Sequence, residues 1–137
     1  MQQLENFISE NLDFLFKNHG IKQVHSLGTG ENGDALVELK NETLLVQIIQ
    51  DRGLVSIYFA NNQSPKDLFE LSELIEILKG KSHIYRSTDP AAISLMKKDF
   101  NAIRDLLIND LADVIKKRDL LRKKTLRSLG YEDEGGK

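Results

Sequence analysis

Glu38-Leu39-Lys40 sets a carboxylate and an amine two residues apart, on one face if the segment is a strand. That is the Glu-x-Lys arrangement of metal-dependent nucleases, where the carboxylate and a second acid hold Mg²⁺ and the lysine assists the attacking water. Asp34 shares the parity of Glu38 but stands at the start of the same strand. No Asp or Glu occurs from Lys17 to Gly30 to supply an acid from a neighbouring one. The pair therefore reads as polar residues of a sheet face, with the nuclease kept as a remote alternative. Gly28-x-Gly30-x-x-Gly33 carries the letters of the dinucleotide fingerprint, with Asp51 behind it. That motif works by laying a pyrophosphate on a helix N-terminus, and here a strand follows, so no cofactor is expected. His19, His25 and His83 show no ligand spacing among themselves. His19 closes an apolar helical run and reads as a dipole contact or a turn residue. No serine sits in a nucleophile-elbow context. No catalytic, cofactor or metal residue is nominated.

The strongest charge feature is Lys116-Lys117-Arg118 with Arg122-Lys123-Lys124 and Arg127. Phosphate binding through counterion release is its functional reading, which makes a nucleic-acid-associated protein the first alternative. No aromatic residue interleaves the block for stacking, and cations near a helix C-terminus also complement the macrodipole without a ligand. The 137-residue chain has a net charge of −2, divided unevenly: residues 1–90 hold 8 basic and 13 acidic side chains, residues 91–137 hold 11 and 8. With 40% hydrophobic and 29% charged residues it reads as a globular domain, not a disordered chain. The absence of cysteine excludes disulfides and thiolate chemistry and fits a reducing compartment. No leader and no membrane span are read, so a cytoplasmic location is expected.

These residues must be positioned by a small α+β fold. Leu4, Phe7, Ile8, Leu12, Leu15 and Phe16 mark one amphipathic helix ending at Gly20, and Ile21–Leu27 reads as a first strand. From Asp34 to Ala60 the letters spell three strands separated by Asn41-Glu42 and Asp51-Arg52-Gly53. Pairing Lys40 with Thr43 and Gln50 with Gly53 sets Leu39 against Leu44, Val37 against Val46, Val46 against Ile57 and Leu44 against Phe59, with a bulge at Gly53 as the variant. The opposite face then receives Glu38, Gln47 and Ser56, but also Leu36, Leu45, Ile49, Leu54 and Tyr58. It is too apolar to be left to water. A second helix runs through Leu68, Leu71, Leu74, Ile75 and Leu78 to Gly80, with Ser64 or Ser72 as its N-cap. His83–Arg86 reads as a short extended piece.

Asp89-Pro90 opens a stretch free of Gly and Pro up to Leu129. Its apolar stripe ends in Val114, Ile115 and Leu121. One helix of about 40 residues would be about 60 Å long. A domain of this size has a diameter near 37 Å, taken from a radius of gyration of about 14 Å. The helix must therefore break, or project and need another chain: one expectation is a homodimer through this helix or the second sheet face, the other a bend near Asn109-Asp110 that folds the chain back and leaves a frayed basic tail.

Ile48-Ile49-Gln50-Asp51-Arg52-Gly53-Leu54-Val55-Ser56-Ile57 is similar to an R-D-R-G-Q-V strand turn in small uncharacterised bacterial proteins. Leu68-Phe69-Glu70-Leu71 resembles the W-Y-D-L with which they open a helix. Those proteins look like immunity proteins that sit beside secreted toxins; the resemblance covers about a quarter of the chain and implies no catalytic residue. The expectation is a single α+β domain over residues 1–129 with a flexible tail at 130–137: an N-terminal helix, an antiparallel meander of three to four strands, and C-terminal helices on one sheet face, the last of them long. Its expected function is non-enzymatic binding of a protein partner, a toxin in the immunity reading, whose basic active site an acidic surface would mask.

Overall fold

The computed structural model describes residues 2–28, 34–80, 89–128 and 130. The glycines at 30 and 33, the extended piece expected around His83 and the tail beyond Gly130 lie outside the described residues. Helices α1 (Gln2–Asn11) and α2 (Asp13–His19) lead into strands β1 (Lys22–Gly28), β2 (Ala35–Lys40), β3 (Leu44–Asp51), β4 (Leu54–Asn61) and β5 (Phe69–Glu70). Helices α3 (Leu71–Lys79), α4 (Pro90–Lys98), α5 (Phe100–Asn109) and α6 (Leu111–Ser128) follow. The sheet is an antiparallel meander in the order β1-β2-β3-β4-β5, so each strand pairs with its neighbour in sequence.

The alternation of apolar residues places the strands' two faces as expected, but the registers differ. Val46 meets Leu39 and Phe59, and Ile57 meets Ile48. Both hairpins are displaced by two residues from the expected pairing, which keeps every side chain on its face. The cause lies in the turns. At the β3–β4 hairpin Asp51 pairs with Leu54, and Arg52 (φ 53°) and Gly53 (φ 81°) form a two-residue loop with both φ positive, the turn whose twist matches the strands. No bulge falls at Gly53. The Asp34 carboxylate accepts the Arg52 backbone N–H at 3.0 Å and holds that tip. At the β2–β3 turn the Asn41 side chain accepts the amides of Thr43 and Leu44, both at 2.8 Å, while the Asn41 backbone N–H donates to the Leu44 carbonyl at 3.1 Å.

Ala35, Val37, Leu39, Leu44, Val46, Ile48, Ile57, Phe59 and Phe69 form the inner face and share one core with apolar residues from all six helices. Gln50 on this face donates to Gln3 Oε1 at 3.2 Å, while its own carbonyl oxygen is buried without a donor. The first helix is two, parted at Leu12 (φ −116°, ψ 10°). The second helix starts from Glu70 in a reciprocal capping box with Glu73, not from Ser64 or Ser72, and ends on left-handed Gly80.

The stretch from Pro90 is three helices, parted at Asp99 and Asp110. Asp99 binds Lys79 at 2.9 Å, and the Leu107 carbonyl near the end of α5 accepts from the Asn61 amide at 3.0 Å. Breaking there lets Phe100, Ile103, Leu107 and Val114 all reach the core. The 18 residues of α6 span about 27 Å. The length mismatch that called for a second chain is therefore absent. No helix among the described residues is long and apolar enough to cross a membrane.

Ile48 and Gln47 are adjacent, yet Ile48 is fully buried and Gln47 faces outward. Ile48→Ala is expected to lower the unfolding free energy in urea by about 2–5 kcal/mol. Gln47→Ala is expected to cost less than about 1 kcal/mol. Equal losses would contradict the face assignment.

Candidate protein-binding surface

The outer face of the sheet is built from cross-strand rows. One row is Leu27–Leu36–Ile49–Ser56, the next His25–Glu38–Gln47–Tyr58–Glu70, and the third joins Lys40, Leu45 and Ala60. The middle row is polar and internally bonded, with Gln47 Nε2 donating to Glu38 Oε2 at 2.8 Å. That bond occupies the carboxylate considered for metal chemistry. Among the described residues no three His, Asp or Glu side chains gather to hold a metal ion.

Leu36, Ile49 and Tyr58 are half-buried on this face and Leu54 is 62% exposed, whereas Leu45 is only 6% exposed and contributes little surface. At the Gly28 end, Leu27, Leu36 and Ile49 line a groove of about 310 Å³ with Ala35 and Gln50, and the Asp34 and Asp51 residues stand at its rim. Leu27, 60% exposed, and Val24, 50% exposed, lie on β1 and were missed by sequence reasoning. Their signal was present: Leu27 aligns with Leu36 and Ile49 once β1 is paired with β2.

The sites expected on the last helix divide. Val114 is fully buried in the chain's own core and so cannot face a partner. Ile115 and Leu121 are half-buried, Ile115 against the core. Arg118 is 8% exposed; its guanidinium lies 4.7 Å over the Phe69 ring, and Nη1 donates to the Leu68 carbonyl at 3.2 Å. Arg122 grips Glu73 with two bonds of 2.7 and 3.1 Å and donates to the same Leu68 carbonyl. Glu73 thus caps α3 through the Glu70 N–H and anchors α6 at once. Lys117 pairs with Asp113 one turn earlier. Lys116, Lys123, Lys124 and Arg127 are exposed. Two of the seven cations therefore fasten α6 to the β5 edge.

Burial, with the nearby Glu73 charge, raises the Glu70 carboxyl above its ordinary range, and burial with those two carboxylates raises the Tyr58 hydroxyl. His19 stacks on Phe100 with ring centres 4.0 Å apart, and Phe14 meets it edge-on at 6.0 Å. Burial, helped by the Arg104 charge, lowers its pKa. His19 thus packs as an aromatic ring against Phe100 and Phe14 at the end of α2. Comparison with protein families, with curated proteins and with solved structures finds no match to this chain.

Arg118→Ala removes a cation over a ring, a carbonyl hydrogen bond and packing, and is expected to cost about 1–3 kcal/mol in chemical unfolding. Lys116→Ala, on the exposed side of α6, should stay within about 0.5 kcal/mol. For His19, a folded-state pKa below the unfolded value near 6.5 means that the unfolded chain binds more protons between the two. Its contribution is complete above the unfolded pKa and is lost as pH falls through the folded one. Urea unfolding between pH 7 and 5 should show a stability loss that is smaller in His19→Asn than in the parent.

Proposed function

We propose that this chain is a non-enzymatic protein-binding module, an immunity- or antitoxin-like inhibitor that holds a basic partner against the outer face of its sheet. The observation that carries the reading is the apolar corner of Leu27, Leu36, Ile49 and Leu54 beside the Asp34 and Asp51 residues. The apolar residues lie together on one sheet face instead of being scattered singly. An apolar floor with a carboxylate rim suits a partner that brings an apolar anchor flanked by Lys or Arg. The apolar contact supplies affinity, and the charges supply orientation and encounter rate. The excess of acid in residues 1–90, the part that builds the sheet, favours the same partner. The short sequence resemblance to immunity-like proteins at the β3–β4 turn falls on this corner.

The decisive experiment pairs the protein with the product of the gene next to its own. The parent is expected to form a one-to-one complex by titration calorimetry and to restore growth to cells expressing that product. Leu54→Asp with Leu36→Gln should weaken the complex by about 100-fold, roughly 2.7 kcal/mol, with the far-ultraviolet spectrum unchanged. A complex of unchanged affinity would move the binding surface elsewhere. Absence of both complex and protection would remove the inhibitor reading.

A further inference from the structure

The two edges of the sheet are finished differently. Beyond β5 stand the first turn of α3 and the arginines of α6. Beyond β1 no described strand pairs, and all seven of its residues are exposed. Among the described residues its backbone groups on that side have no strand partner, which is the template another strand can pair with. Protection is slight: Lys22 at the start and one irregularity between Gln23 and His25. Ser26, Leu27 and Gly28 then pair regularly with Val37, Leu36 and Ala35.

A second observation says what would fit there. Lys22 and Lys40 are direct cross-strand partners, a like-charge pairing that destabilises a sheet. Neither forms an ion pair among the described residues, whereas Lys17 and Lys117 each have an aspartate one turn away. Both lysines line a groove of about 580 Å³ with His19, Val24 and Thr43; Glu42 stands at the same groove and is bonded to neither.

We propose that β1 is a docking edge, and that an extended acidic segment of a partner protein adds to it as a sixth strand. The partner's backbone takes the hydrogen-bonding positions of β1 that no described strand uses, its carboxylates lie beside Lys22 with Lys40 behind it on β2, and its apolar side chains cover Val24. A second copy of this chain is a poor occupant, because its own β1 would bring Lys22 and His25 rather than carboxylates. The inference shares the protein-binding reading but uses a different surface, so the two can fail separately.

The probe is a capped peptide of alternating Thr and Val with two Glu at one end, compared with the same peptide ending in two Lys. With the parent, the Glu peptide is expected to slow amide hydrogen exchange along β1 and to bind at least about tenfold more tightly than the Lys peptide. Lys22→Glu with Lys40→Glu should reverse that preference while retaining the parent's circular dichroism spectrum. Leu54→Asp, on the opposite hairpin end, should bind the Glu peptide as the parent does. Equal affinity for both peptides, no protection of β1 amides, or a preference unmoved by the charge reversal would each overturn the proposal. Loss of peptide binding in Leu54→Asp would also overturn it, by placing the peptide on the outer face instead.

Discussion

One asparagine, through its side chain and its backbone carbonyl, joins three parts of the chain. Asn41 Nδ2 donates to the His19 carbonyl at the end of α2, at 3.0 Å, and Oδ1 receives the Thr43 and Leu44 amides. The Asn41 backbone carbonyl accepts from Asn62, just past β4. The turn that sets the β2–β3 register is thus also the point where the N-terminal helices and the end of β4 are tied to the sheet. A buried or half-buried carbonyl left without a donor costs more than an ordinary hydrogen bond contributes, so these bonds have to be made together. A shorter turn here would move Leu44, and with it the whole inner face, relative to β2.

How much of this was legible follows from what each signal reports. Alternation reports only parity, and parity was enough to sort Val37, Val46, Ile48 and Phe59 from Leu36, Gln47 and Tyr58. It is blind to displacements of two residues, which is why Val46 was paired with Ile57 when its neighbour is Phe59. The missing information was turn chemistry: an arginine in the left-handed region at Arg52, and an asparagine whose side chain gathers the amides of the turn at Asn41. Helix periodicity likewise reported the apolar stripe but not its breaks at Leu12 and Asp99, where no glycine or proline marks the chain; only the break at Asn109-Asp110 was foreseen, from the length of the stretch. Those breaks are imposed by tertiary packing, which lets successive short helices each turn a face to one core.

The surface was less readable than the core. A run of Lys and Arg looks alike whether it meets water, phosphate or its own fold, and only coordinates separate the inward Arg118 and Arg122 from the outward Lys116 and Lys123. Guanidinium groups suit the inward places because a planar donor can lie over Phe69 or reach two oxygens of Glu73 at once, which an ammonium cannot. The apolar second face was legible from Leu36, Ile49 and Leu54, since no alternating pattern could hide them. The exposure of β1 was not, because edge position belongs to the sheet and not to the strand.

The meander also carries a clock. Its strands close on neighbours through short connections, contacts that form early and fast. The cover over β5 is of another kind, for Arg118 reaches back 50 residues to Leu68 and Arg122 reaches back 49 to Glu73. At ordinary translation speeds of about 5–20 residues per second, those partners leave the ribosome roughly 3–10 s apart. For that interval the β5 edge lacks its cover by α6, and its risk of joining the wrong strand is governed by elongation rate. Slow codons between Glu73 and Arg122 would lengthen it without altering a single contact of the finished protein.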